Sequence, residues 1–177
     1  MVIPVGPGFQ GDRHRIDPPD PDMPLAGDFT ADGVAYALVP RFDLAFSAGP
    51  GRNPPDETTA SPGVALPRQW FIENHVTPDF CRLVQAHGDS MAASIPDGAT
   101  ILIDCMQRLL RKPGIYAFSR NGDIFVKRLI PALDTAGKAV SVTIVSDNQA
   151  FPPAVVTGPE INTLAIQGLV RALLTVL

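Results

Sequence analysis

Lysine, histidine, cysteine and tryptophan are all scarce in this chain: three, three, two and one among 177 residues. Two cysteines, Cys81 and Cys105, cannot build the disulfide framework of a small secreted domain, and they read as free, buried thiols of a cytoplasmic protein. His75, Cys81, His87 and Cys105 show no recognised metal-ligand spacing, so neither a metal nor another cofactor is expected. Long apolar runs are missing too. A helix that crosses a bilayer needs about 20 apolar residues. The longest candidate, Leu164 to Leu177, is shorter and carries Gln167 and Arg171, so no membrane partner is expected. The N-terminus lacks a basic stretch followed by an apolar core, and a secretion signal is not expected either.

Proline and glycine are abundant instead, and they are unevenly spread. Residues 1–67 hold 12 of the 19 prolines and 8 of the 15 glycines, with four Arg against nine Asp and Glu, a net of −5. Residues 68–177 hold ten Lys and Arg against nine Asp and Glu, a net of +1. So interrupted a front cannot form long helices, and its acidity repels phosphate. The chain is therefore not expected to grip DNA by itself. The remaining 110 or so residues suffice for one compact domain. The organisation expected is a flexible Pro-rich arm over 1–34, an edge strand and loop over 35–67, and a core over 68–177.

Within the arm, Asp17-Pro18-Pro19-Asp20-Pro21-Asp22-Met23-Pro24 has too few backbone donors for a helix or a central strand. Tyr36, Leu38, Phe42, Leu44 and Phe46 then fall on alternate positions, the period of a half-buried strand, and Pro40 points to a sheet edge. A turn signal follows at Ser47-Ala48-Gly49-Pro50-Gly51, and a polar loop is expected to about Pro67. Beyond Trp70 come short apolar runs: Phe80–Ala86, Thr100–Asp104, Ile115–Ser119, Asp123–Ile130, Val140–Val145 and Leu164–Leu177. Arg120-Asn121-Gly122 between two of them signals a hairpin. One helical turn fits Met91–Ile95. The pattern predicts a mostly β fold.

Two places could carry chemistry. Lys112 and Lys138 sit at turns, whereas Lys127 lies inside a strand on one face with Phe125 and Leu129. Desolvation there would lower the lysine pKa toward neutrality and make a general base. Alternatively the stem packs and the amine reaches water. The second place is His87-Gly88-Asp89-Ser90-Met91. Gly88 permits a tight path after a strand, so Ser90 could be a nucleophile with backbone N–H groups beside it to hold an oxyanion. An Asp-Ser capping turn is the other reading.

These segments, in order, resemble one family. Gly88-Asp89-Ser90-Met91 followed by Ile95-Pro96-Asp97-Gly98, Phe125-Val126-Lys127-Arg128-Leu129, Ser146-Asp147-Asn148, and Ile166-Gln167-Gly168-Leu169-Val170 are similar to the LexA/UmuD-like S24 peptidase domain, shared with C1-type phage repressors. The resemblance covers roughly residues 35–177. It implies a β fold of small twisted antiparallel sheets, partly barrel-like. It also implies Ser90 as nucleophile, Lys127 as its base, and an oxyanion hole from the backbone of Ser90 and Asp89. The substrate would be the chain's own Ala48–Gly49 bond, in a cleavage-site loop within 35–67; Ala26–Gly27 and Ala136–Gly137 are further Ala-Gly pairs. The implied partners are a second copy in a homodimer and a RecA–single-stranded DNA filament that stimulates cleavage during DNA damage. DNA would be bound only through a helix-turn-helix domain, which residues 1–67 cannot supply. The implied function is that of a self-cleaving domain of a repressor or UmuD-like protein. The alternative is a non-cleaving dimerisation module of a phage-type repressor.

Overall fold

The computed structural model describes residues 28–42, 60–92 and 94–174. Strand β1 (Phe29–Ala31) turns at Asp32-Gly33 into β2 (Val34–Phe42), and β3 (Ala60–Pro67) runs straight into a short helix α1 (Arg68–Glu73). After β4 (Cys81–Gln85) and β5 (Thr100–Asp104) come β6 (Gly114–Arg120), β7 (Asp123–Leu133), β8 (Ala139–Val145), β9 (Ala154–Thr157) and β10 (Ala165–Leu174). The fold is mostly β, as expected. Its strands form one open hydrogen-bonded path, β1-β2-β4-β5-β10-β6-β7-β8-β9, with β3 on the other edge of β2. Every pairing is antiparallel except that of β2 with β4.

Local sequence explains most of these elements. β6 and β7 close through Asn121 and Gly122, both at positive φ (54° and 89°), as a two-residue hairpin turn requires. β5 carries the unbroken apolar run Ile101-Leu102-Ile103 because both of its faces are covered: Ile101 and Ile103 point into one buried cluster and Leu102 into another. The C-terminal apolar segment is a central strand. β10 lies between β5 and β6, which accounts for its hydrophobicity within the monomer.

Four expectations need correction. The strand expected at Tyr36–Phe46 begins at Val34 and is described to Phe42; residues 43–46 lie outside the described residues. It is not an edge strand, since β3 takes one side and β1 and β4 the other. Pro40 is tolerated because the β2–β3 register shifts between Val39 and Arg41, leaving the proline at the irregularity. The polar loop expected to continue to Pro67 instead ends in β3. Pro62 and Pro67 read as loop residues, but β3 pairs only with β2, so a missing N–H can face its open side. The described end of the front segment likewise begins pairing earlier than composition indicated, with the Phe29 and Tyr36 rings stacked 5.3 Å apart.

The buried side chains form three clusters. One gathers Ala37, Val39, Phe71, Val76, Leu83 and Leu102 under α1. A second holds Tyr116, Phe118, Leu129, Val142 and Leu169. The third contains Val84, Ile101, Ile103 and Ala117 together with Met91 and Ile95, and it forms the floor of the candidate site. Cys81 and Cys105 are free and buried; burial pushes their thiols up to about 12 and about 11, so both stay protonated and inert at neutral pH.

Gly168 is the tightest point of the central strand. A Cβ there would lie 2.5 Å from the Asp104 carbonyl oxygen and 2.6 Å from the Ile103 side chain, both in β5. Gly168→Ala is therefore expected to lower stability by about 1–3 kcal/mol, read as a reduced urea midpoint with an unchanged slope.

Candidate active site

Ser90 stands on a turn whose shape is set before and after it. Leaving β4, the Ala86 N–H donates to the Ala99 carbonyl at 2.8 Å and the Gly98 N–H donates back to the Ala86 carbonyl at 2.8 Å. Gly88 turns the chain at φ 91°, and its N–H donates to Asp97 Oδ1 at 2.8 Å. His87 Nδ1 lies 3.7 Å from the same oxygen. The backbone then coils once. Ala92 N–H reaches the Asp89 carbonyl at 2.9 Å, and the Ser94 and Ile95 N–H groups reach the Met91 carbonyl at 2.9 and 2.6 Å. Met91 and Ile95, each 4 % exposed, pin this coil to the core. Ser90 is left half-buried between exposed Asp89 and buried Met91.

Lys127 reaches the site from β7. Arg128 pairs with Val145 in the antiparallel β7–β8 ladder, so Ser146, one residue past the end of β8, stands opposite Lys127 on the same face. Lys127 Nζ donates to Ser146 Oγ at 2.8 Å and sits 5.3 Å from the centroid of the Phe151 ring. The amine is therefore half-buried and held within the site. Burial lowers the Lys127 pKa below its ordinary 10.5, and the Asp89 carboxylate partly opposes this. Phe125 and Leu129 belong to one cluster on that side of the strand, as alternation implied.

Residues 146–151 join the two parts. Asp147 accepts a bidentate pair from Arg128, with Nε and Nη2 each at 2.8 Å, and a 2.5 Å hydrogen bond from Ser94 Oγ. The Arg128 guanidinium and the Ser94 hydroxyl hold the Asp147 carboxyl below the usual carboxylate range, against burial. The Asp147 N–H points at Met91 Sδ at 3.4 Å. Asn148 donates its backbone N–H to the Ser90 carbonyl at 3.0 Å and its side-chain amide to the Asp89 carbonyl at 3.0 Å. Asp89, Ser90 and Lys127 are thus brought to one place through this segment. Among the described residues no hydrogen bond joins Lys127 to Ser90. Ala48 and Gly49 lie outside the described residues. A separate groove of about 920 Å³ between the β5–β6 loop and the β7–β8 turn contains none of these residues. Among the described residues no three His, Cys, Asp or Glu side chains gather to hold a metal, and no helix is long and apolar enough to cross a membrane.

A family model described as Peptidase S24-like matches residues 42–171, from the end of β2 into β10. The chain belongs to the S24-like peptidase family. No curated protein matches it at a significant level.

Within this S24-like domain the sequence pointed to Ser90, Asp89 and Lys127 by local cues, whereas Ser146, Asp147 and Asn148 stood out only as a matching motif. Arg128 likewise appeared only inside the matching lysine-strand motif, and Ser94 and Phe151 were not singled out. Their signal is weak but physical: an Arg two residues from Val126 and from Ile130 on one face of a strand, and a Ser-Asp-Asn turn directly after a strand. Because the Asp89 charge favours the Lys127 ammonium, Asp89→Asn is expected to lower the Lys127 pKa further. An NMR titration of the Lys127 side-chain Cε signal, one of only three lysines, measures this; an unchanged midpoint contradicts it.

Proposed function

We propose that this S24-like domain is a self-cleaving peptidase with Ser90 as nucleophile and Lys127 as base, cutting the chain's own Ala48–Gly49 bond as part of a LexA/C1-type repressor or a UmuD-like protein. The observation that carries the reading is that one short segment touches both candidates, Ser146 accepting from the half-buried Lys127 of lowered pKa and Asn148 holding the tight turn of Ser90. Neutral Lys127 would take the Ser90 hydroxyl proton as Oγ attacks the Ala48 carbonyl carbon. The backbone N–H groups of Asp89 and Ser90 would hold the resulting oxyanion. Collapse would break the bond to Gly49, whose nitrogen takes the proton back from Lys127, and water would then release Ala48 from Ser90.

Strand register supports delivery within one chain. β2 and β4 run parallel with Phe42 opposite Val84. Ala48 lies six residues past Phe42, and Ser90 lies six residues past Val84. Equal chain lengths therefore separate the paired strands from the bond and from the serine. In this reading residues 1–34 are the arm, 35–67 carry the scissile bond and 68–177 form the peptidase and dimerisation core. The protein would work in the cytoplasm as a homodimer, with a RecA–single-stranded DNA filament as stimulator and DNA bound only by a separate helix-turn-helix domain.

Alkaline incubation is expected to yield fragments 1–48 and 49–177 by mass spectrometry, and neither Ser90→Ala nor Lys127→Ala should cleave. The rate should rise about tenfold per pH unit below the Lys127 pKa and level off above it, because only neutral lysine accepts the proton. Cleavage persisting in both variants would sink the dyad.

One observation favours a second reading, a non-cleaving dimerisation module: Lys127 is engaged by Ser146 rather than by Ser90. A dimer by size exclusion with light scattering, together with an Ala48–Gly49 bond intact at every pH, is the outcome expected of that reading.

A further inference from the structure

One residue holds two successive carbonyls of the serine turn. The Asn148 side-chain Nδ2 donates to the Asp89 carbonyl and the Asn148 backbone N–H to the Ser90 carbonyl, each at 3.0 Å. A peptide unit is planar and trans, so its C=O and N–H point in opposite directions. Fixing the Asp89 carbonyl therefore fixes the direction of the Ser90 N–H, and fixing the Ser90 carbonyl does the same for the Met91 N–H. Ala92 N–H also reaches the Asp89 carbonyl at 2.9 Å, so that peptide is gripped from two sides. Among the described residues no acceptor takes the Ser90 or the Met91 N–H.

We propose that Asn148 is the positioning residue of the oxyanion hole, its side-chain amide aiming the Ser90 N–H at the oxygen of the scissile carbonyl. The proposal rests on the self-cleavage reading and adds to it the group that preorganises the donor. Preorganisation matters because a donor that must swing into place as charge develops forfeits much of its effect. Asn148 is separated from Asp89 by 59 residues, so the chain brings it there only through the fold. Its other side-chain contact is local: Oδ1 accepts the Ala150 N–H at 3.0 Å and shapes its own loop.

That division of labour supplies the test, made on the full chain. Asn148→Ala removes both side-chain contacts, whereas Asn148→Asp keeps the acceptor for Ala150 and loses the donor to Asp89. Both variants are expected to lose about 10- to 100-fold of the alkaline plateau rate, read above the Lys127 pKa so that a charge at position 148 does not act through the lysine's protonation. Uncharged Asn148→Ala is the control for its effect on the oxyanion. Melting by circular dichroism should show both folded. In a Lys127→Ala background, where the chain stays whole, adding Asn148→Asp should move the Ser90 amide signal in a ¹H–¹⁵N spectrum. Asn148→Asp cleaving at the wild-type rate, or an unmoved Ser90 amide, overturns the proposal. If the wild-type chain fails to cleave, or Ser90→Ala cleaves, the self-cleavage reading itself has failed, and the amide measurement still decides whether Asn148 sets that peptide.

Discussion

The ion pair between Arg128 and Asp147 is the contact on which the candidate site depends. Arg128 follows Lys127 in β7, and Asp147 follows Ser146 beyond β8, so one bidentate pair locks the register of the segment that carries everything else. Arg128 keeps 38 % of its side chain exposed, and screening limits the pair to about 1 kcal/mol. Its value is therefore geometric. Because Asp147 also receives Ser94 from the serine coil, a single carboxylate ties the Lys127 strand to the Ser90 turn across 53 residues of sequence.

At Lys127 two effects oppose each other, and burial prevails. Burial favours the neutral amine, while Asp89 favours the ammonium. The Phe151 ring does both, attracting a cation through its face and excluding water from it. Removing either influence would move the amine's protonation in a known direction, down without Asp89 and up with greater exposure. The Ser146 hydroxyl gives the ammonium a hydrogen-bond partner.

Much of this was legible in the sequence, for definite reasons. The β6–β7 hairpin announced itself through Asn121-Gly122, the only kind of pair that enters that turn without strain. The serine turn was legible from Gly88, and Lys127 from its scarcity and its strand. β3 was not legible, since Pro62, Gly63 and Pro67 read as loop. Gly63 in fact lets β3 lie against the Val39 carbonyl, where any Cβ would collide. The clamp at Ser146–Asn148 was visible as a motif but not as a clamp. Contacts between residues more than 50 apart depend on how strands stack, and no local pattern records that.

The two described ends of the segment between β2 and β3 have a further meaning. Phe42, where β2 ends, is paired with Ala60, where β3 begins, and β2 is also laddered to β1 and β4. A cut anywhere between Phe42 and Ala60 would therefore free no strand by itself. The front fragment would persist as a ligand of its own former domain, bound through β1 and β2 and through Ala37 and Val39 in the core. Its departure would be governed by a dissociation constant and by dilution, so that hydrolysis and separation become two events with separate clocks.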